Sequence, residues 1–256
     1  MALADIRVDI QANWPSGYYS SDLDSDKIDE YINNVQQWVC RGSLFLPNKH
    51  ILHNFSWLKR EVTASTVDQQ RRYALPDGTG SIWKFKVEKS CELVNSDSYR
   101  VPLTRMLKQD IENDSRFKDT TDKGTPSVYC IDDGDLWLYP LPDHSSNSGS
   151  AWTINLEYYG YLPALSDSNT TNTITDDYPK VLEYDATEQG YRFGMDEEQA
   201  EYWKNKKIEI FLEMLKVDQA LQLSGLETGM TPIAGVALGE GQPSTSGYYY
   251  NDTHYD

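Results

Sequence analysis

Three aspartates in one short stretch are the residues of this sequence best suited to acid–base chemistry. Asp132, Asp133 and Asp135 surround Gly134, in a chain of which 12% is aromatic. Glycoside hydrolases use a pair of carboxyl groups, one as an acid and the other as a base or nucleophile. Those roles need separated pKa values, whereas carboxylates in a tight exposed turn are solvated alike. We therefore predict a turn here, without catalysis.

Two other groups of residues could bind a metal ion. An acidic run begins at Asp22, but a calcium loop needs glycine at its sixth position and glutamate at its twelfth, where this chain has Lys27 and Asn33. These carboxylates fit the start of a helix, where the helix dipole favours negative charge. His50 and His53 are three residues apart, but their polar surroundings indicate a loop, and no third ligand is apparent. We expect no metal and no cofactor.

No stretch carries a nucleotide-binding or nucleophile motif. The DGTG segment at 77–80 is not followed by a helix that could supply anion-binding amides, so it predicts a turn. Cys40, Cys91 and Cys130 are scattered, which favours buried reduced thiols over disulfides or zinc. The sequence therefore indicates a protein that is not an enzyme.

The composition narrows the possible partners. The formal net charge is −17 and the sequence pI is about 4.5, which disfavours binding to nucleic acids or anionic membranes. No apolar run approaches the length of a membrane span, and the first residues do not resemble a secretion signal. With 256 residues the chain can bury a substantial core.

Hydrophobic patterns and turn residues predict the helices and strands that position the candidate residues. The runs 128–131 and 136–139 indicate a hairpin, and 152–159 alternates as a strand with one buried face. Amphipathic spacing predicts a helix from Asp24 or Ser25 to Arg41, and Pro179 marks the start of a later helix. That helix, with Phe193 on its buried face, and one beginning near Asp196 are expected to run antiparallel. Residues Thr104 to Asp114 are expected to form a short helix.

We predict an α+β fold: a small helical bundle, made of the N-terminal helix and a C-terminal antiparallel helix pair, with an antiparallel β-domain inserted between them. The first 23 residues look polar and irregular, with Trp14 and Tyr18 among the candidate surface anchors. The predicted segments are an N-terminal arm and first helix (1–54), the β-domain (55–160), the helix pair (161–224) and an extended partner-binding tail (225–256).

One part of the chain resembles a known family. The succession GTPSVY, an acidic turn, DLWLYPLPD, LEYYGYLPALSD and TNTITDDYPKVLEYDATEQGY resembles the head-to-tail adaptor (connector) proteins of tailed bacteriophages, especially short-tailed ones with tail-tubular proteins. The resemblance covers roughly Leu75 to Leu221. It implies a structural virion protein without chemistry of its own, which forms a ring around the DNA exit channel between the portal vertex and the tail.

The resemblance also implies partners and a location. The partners would be the portal protein, a tail nozzle or tail tube protein, other copies of the chain in a twelve-fold ring and, as a further candidate, tail fibres. Double-stranded DNA would pass through without specific binding, and no membrane would be involved. The protein would reside at the virion neck after assembly in the host bacterial cytoplasm. The alternative reading is a glycan-binding or glycan-cleaving β-domain of a phage particle.

Two sets of residues are candidates for contacts. Residues 176–201 include nine acidic and two basic residues, which gives a local net charge of −7. Six of the acidic residues are predicted to face the channel: Glu183, Asp185, Glu188, Glu197, Glu198 and Glu201. The tail lacks a core of its own but carries apolar and aromatic anchors for a partner. These are Ile233, Val236, Leu238, Tyr248, Tyr249, Tyr250 and Tyr255.

Overall fold

The computed structural model describes residues 1–14, 25–46, 49–78, 83–117 and 121–226. It confirms the predicted α+β class: helices lie at both ends of this part of the chain, and largely antiparallel sheets lie between them.

The chain divides into two compact units, Met1–Asp218 and Gln219–Asp256. Of the second unit, the described residues 219–226 are the end of the last helix. All the helices and strands discussed below begin in the first unit.

Six α-helices occur in the described part of the chain. They are α1 (Leu3–Asn13), α2 (Ser25–Arg41), α3 (Lys108–Asn113), α4 (Thr173–Asp177), α5 (Pro179–Phe193) and α6 (Glu197–Leu226). Two short 3-10 turns, Ser56–Leu58 and His144–Asn147, lie in the connections.

The twelve strands of the described residues form two four-stranded sheets and two small pairs. They are β1 (Ser43–Leu46), β2 (Lys49–Leu52), β3 (Lys59–Ser65), β4 (Arg72–Ala74), β5 (Lys84–Val94), β6 (Arg100–Pro102), β7 (Thr104–Arg105), β8 (Lys123–Gly124), β9 (Val128–Asp132), β10 (Asp135–Tyr139), β11 (Leu141–Pro142) and β12 (Thr153–Tyr161). One sheet has the order β3-β12-β5-β6 and the other β4-β10-β9-β7. Only the short pairs β7/β9 and β8/β11 are parallel among the pairings described.

The predicted hairpin and strand are confirmed. Strands β9 and β10 pair in antiparallel register across Asp133 and Gly134, whose φ values of 52° and 79° are those of a tight two-residue hairpin turn. Along β12, Ile154, Leu156 and Tyr158 are buried and face the second sheet. The space between the two sheets is therefore one of the hydrophobic cores.

The N-terminal residues differ from the prediction, because Leu3–Asn13 is a helix and not an irregular arm. Leu3, Ile6 and Ile10 are buried in the helical core. Trp14, predicted as a surface anchor, stacks on Tyr31 with ring centroids 6.2 Å apart. Three apolar residues on one face are enough to hold this helix because α2 and α5 cover that face.

Helix α2 ends where the sequence predicts. Gly42 follows it with a φ of +63°, and a Cβ there would lie 1.7 Å from the carbonyl oxygen of His53, so only glycine fits. Lys86 of β5 donates to the carbonyl oxygens of Cys40 and Arg41, at 2.7 and 3.0 Å. Burial lowers the pKa of Lys86 to about 8. This lysine joins the helical layer to the sheet.

Three further elements differ from the sequence prediction. Residues 43–52 form the β1–β2 hairpin instead of a loop. The predicted helix from Thr104 to Asp114 is shorter, because β7 occupies its first residues. Phe193, expected on the buried face of α5, is 65% exposed at the turn into α6. The predicted starts of the two C-terminal helices are confirmed. Helix α5 begins at Pro179, and the side chain of Asp196 accepts a hydrogen bond from the backbone N–H of Gln199 at the start of α6.

Glu157 ties three neighbouring strands together on the face of the first sheet opposite the inter-sheet core. Its carboxylate lies 2.8 Å from Lys59 Nζ on β3 and 3.3 Å from Lys89 Nζ on β5. The hydroxyl of Ser90 donates to it at 3.1 Å. The hydrogen bond from Lys59, with those from Lys89 and Ser90, outweighs partial burial and lowers the pKa of Glu157 to about 2.

This lowered pKa predicts a specific pH dependence of stability. Between pH 4.5 and 2 the unfolded chain binds more protons at Glu157 than the folded chain, so its stabilising contribution is complete above pH 4.5 and disappears towards pH 2. We expect Glu157→Gln to lower the free energy of unfolding, measured by urea denaturation, at pH 6, and the difference from the unsubstituted chain to shrink as the pH falls. Asp97→Asn, at an exposed loop position, is the control; a difference for Glu157→Gln that is constant across this range would contradict the assignment.

Candidate assembly surfaces

Lys207 of α6 is buried against α5 and holds two of its carboxylates. Its Nζ lies 2.5 Å from Asp185 Oδ1 and 2.7 Å from Glu188 Oε2, and these three side chains are exposed by only 12%, 11% and 5%. Arg192 contacts the second carboxylate at 2.9 Å. Two positive and two negative charges thus meet in the contact between the helices.

The charges in this cluster depend on one another. Burial opposes the charge on Lys207, but Asp185 and Glu188 outweigh it and raise the pKa of this lysine. The ammonium group is therefore charged, and it compensates carboxylates that have lost their water. Removal of either partner of such a pair leaves an uncompensated buried charge, which costs more than the pair itself contributes.

Glu183 is buried on the same helix. Only 1% of its side chain is exposed, and one of its oxygens accepts from Lys180 Nζ at 2.6 Å. Lys180 also lies 3.7 Å from Asp9 of α1. Burial raises the pKa of Glu183, although Lys180 opposes the effect. Helix α5 therefore directs one acidic side chain towards α1 and two towards α6.

The structure separates the six acidic candidates into two sets of three. Glu183, Asp185 and Glu188 are buried inside the chain, where lysine and arginine neutralise them, so they do not add to an acidic outer face of the helix pair. The first turns of α6 carry the exposed set, Glu197, Glu198 and Glu201. Whether any of the six faces a channel stays a prediction, which the exposed set fits better.

A second buried polar cluster was not predicted from the sequence. His53 Nε2 lies 2.6 Å from Asp218 Oδ2, and the other carboxylate oxygen accepts from the backbone N–H of Ser56 at 2.9 Å and from its hydroxyl at 2.5 Å. Burial would raise the pKa of Asp218, but the hydrogen bonds from His53 and Ser56 hold it below its ordinary value. This cluster attaches α6 to the segment between the β1–β2 hairpin and β3.

The aspartates considered for glycoside hydrolysis lie at the exposed hairpin turn that the sequence predicts. Lys108 contacts Asp132 at 2.5 Å, and Arg72 forms an ion pair with Asp135. Asp133 is 87% exposed. Cations from neighbouring elements thus hold two of the carboxylates in structural ion pairs.

The tail candidates lie outside the described residues, and their role stays a prediction. They are Ile233, Val236, Leu238, Tyr248, Tyr249, Tyr250 and Tyr255.

Within the described residues, no three His, Cys, Asp or Glu side chains are grouped so that they could hold a metal ion. No described helix combines the length and the apolar character that crossing a membrane requires. The three cysteines are buried and form no disulfide, as predicted, and burial raises the pKa of Cys40 to about 11 and of Cys91 to about 12.

Comparison with models of protein families gives a match over most of the chain. The family model described as SU10 adaptor protein matches residues 1–228. This match spans all the described helices and strands, whereas 229–256 lie beyond it. The comparison with curated proteins gives no match.

The buried cluster around Lys207 makes a prediction about stability. Lys207→Met leaves Asp185 and Glu188 in the helix contact without the ammonium group, so we expect the free energy of unfolding to fall by about 3–5 kcal/mol. Lys204→Met is the matched control on α6, because Lys204 contacts the exposed Glu201, and such a surface pair is worth at most about 1 kcal/mol. Both free energies of unfolding are measured by urea denaturation at pH 7. An equal decrease in the two variants would show that the buried cluster stabilises the protein no more than a surface ion pair does.

Proposed function

The chain belongs to the SU10 adaptor protein family, a family of phage head–tail adaptors, and from this membership we propose that it forms a ring between the portal vertex of the head and the tail. The family match over residues 1–228 is the observation that carries this proposal. In this structural role the protein would act through the surfaces that contact its neighbours, and no catalytic site would be needed.

In this proposal the ring has two different neighbours along its axis. The portal protein contacts one side, and a tail nozzle or tail tube protein contacts the other, with tail fibres as a further partner. Twelve copies would complete the ring, and the protein would reside at the neck of the virion after assembly in the host cytoplasm. The link between α5 and α6 suits this role, because Lys207 of α6 joins Asp185 and Glu188 of α5 in a buried cluster.

The exposed acidic residues at the start of α6 are the candidates for the channel lining. Glu197 is 74% exposed and Glu201 is 54% exposed, and Glu198 between them is also exposed. Carboxylates that face a DNA channel repel phosphates, so they would keep the duplex from binding to the wall. The overall charge of −17 acts in the same direction.

The tail is proposed to anchor the ring to the portal or to a neighbouring copy. It extends beyond the residues that match the family model, and its tyrosines combine a large contact area with a polar tip. Its glycines and prolines would let it follow an irregular groove.

Docking onto isolated heads tests the ring and the tail together. We expect the full chain to cosediment with portal-bearing, DNA-filled heads at a fixed number of copies, and a chain ending at Ser224 to bind at least about tenfold more weakly, because it lacks the anchoring segment. Failure of the full chain to bind would overturn the proposed function. Equal binding and equal particle stability with the shortened chain would leave the ring in place and remove the role assigned to the tail.

Charge reversal tests the channel lining. A chain with Glu197→Lys, Glu198→Lys and Glu201→Lys is expected to dock normally and to slow DNA release from the particle, because the wall would then attract phosphates. The matched control carries three reversals at exposed acidic positions outside the helix pair: Glu61→Lys, Asp97→Lys and Glu112→Lys. Unchanged release in the first variant, or equal slowing in both, would contradict a channel-facing position.

A further inference from the structure

Helix α1 is attached to the helical bundle by a small set of contacts. Its apolar contacts come from three buried residues on one face. At its middle, Arg7 forms ion pairs with Asp29 of α2 at 2.5 Å and with the exposed Asp167 at 2.8 Å. At its start, the backbone N–H of Leu3 donates to the carbonyl oxygen of Thr170 at 3.0 Å. These polar contacts lie in the first half of the helix, so the second half depends on the side chains that α5 presents to it.

Glu183 of α5 has one carboxyl oxygen with a donor and one without. Its Oε2 accepts from Lys180 Nζ at 2.6 Å, and the side chain is only 1% exposed. Its Oε1 is also buried, and no group of the described residues donates a hydrogen bond to it. A buried ionised oxygen without a donor is unfavourable, because it has lost its water and gained no partner. A proton on Oε1 removes this cost, since the carboxyl group then becomes a donor itself.

Asp9 of α1 provides an acceptor for this proton. Its Oδ2 lies 3.7 Å from Nζ of Lys180, the same ammonium group that contacts Glu183. Two ionised carboxylates at such a site repel each other, whereas one proton between them allows a hydrogen bond. Burial raises the pKa of Glu183, Lys180 opposes this effect, and the charge of Asp9 and its hydrogen bond with Glu183 raise the pKa further.

The other helices that pack near α5 use their charged groups elsewhere. On α2, Asp29 is paired with an arginine of α1. On α4, Asp176 lies 3.6 Å from the N-terminal amine. On α6, Lys207 contacts two other carboxylates of α5. Among the described residues, the titration of Glu183 is therefore governed by burial and by the charges of Lys180 and Asp9.

We propose that Glu183, Asp9 and Lys180 form a proton-dependent clasp that holds α1 on α5. With a proton on Glu183, the carboxyl group donates to Asp9 and joins the two helices. Without this proton, two carboxylates repel each other across the same contact, and α1 separates from the bundle more easily. Separation uncovers the apolar surface of α2 and α5 that α1 covers, so the clasp controls how often this surface is accessible.

The sign of the pH dependence follows from the raised pKa of Glu183. When α1 is detached, this carboxyl group is exposed to water and its pKa returns towards the ordinary value of 4.5. The attached state therefore binds more protons, so the stabilisation of the attachment is complete below pH 4.5 and is lost as the pH rises through the raised pKa. A difference of one pH unit between the two pKa values changes the opening equilibrium by up to about tenfold.

Backbone hydrogen exchange in the full chain tests the clasp. Exchange is followed by mass spectrometry between pH 5 and 8 on fragments from α1 and, as an internal reference, from β12, and each rate is divided by the intrinsic rate at that pH. We expect opening of α1 to increase at least about threefold from pH 5 to pH 8, while β12 keeps its protection. Constant opening of α1, or an equal change in β12, would overturn the proposal.

Three variants distinguish the clasp from a merely structural contact. Glu183→Gln removes the titrating group and keeps a donor for Asp9, so opening of α1 should no longer depend on pH. Asp167→Asn is the matched control, because it removes another carboxylate that contacts α1, and the pH dependence should remain. Lys180→Gln removes the charge that opposes protonation of Glu183, so the midpoint of opening should move to higher pH.

The variants also give the results that would contradict the clasp. A pH dependence of α1 opening that persists in Glu183→Gln would assign the titration to another group. A midpoint that stays in place or falls in Lys180→Gln would exclude a proton shared within this cluster. The second result decides the question even where Glu183→Gln does not fold.

Discussion

The contact between α5 and α6 depends on one buried ammonium group. Lys207 compensates Asp185 and Glu188, which α5 directs into the same space. Without it, two buried carboxylates would have lost both their water and their compensating charge, which is strongly destabilising. The longest described helix is thus fixed against the rest of the bundle by charge as well as by apolar contact. Packing of Phe211 and Met214 in the helical core then builds on this arrangement.

The elements that the sequence predicts correctly are those whose signals are local. The tight turn at Asp133 and Gly134, the start of α5 at Pro179 and the end of α2 before Gly42 each follow from the backbone preference of one or two residues. The alternation along β12 is also local, because every second residue faces the other sheet. The α+β class follows from these pieces alone.

The parts that the sequence does not reveal depend on contacts between distant residues. Helix α1 has only Leu3, Ile6 and Ile10 on its buried face, which is too weak a signal without the helices that cover it. The burial of Asp185 and Glu188 follows from a lysine about twenty residues later, whereas their local charge suggests an exposed acidic surface. The hairpin at 43–52 has apolar residues on both faces, so its pattern does not indicate which face is covered.

Asp218 is the last residue of the first compact unit, and α6 continues past it. Its carboxylate accepts hydrogen bonds from the backbone and hydroxyl of Ser56 and contacts His53. A mechanical load carried along α6 would therefore act on these three polar contacts as well as on the apolar packing of Phe211 and Met214. Polar contacts of this kind resist a shift of the helix along its own axis, because a small displacement breaks their geometry.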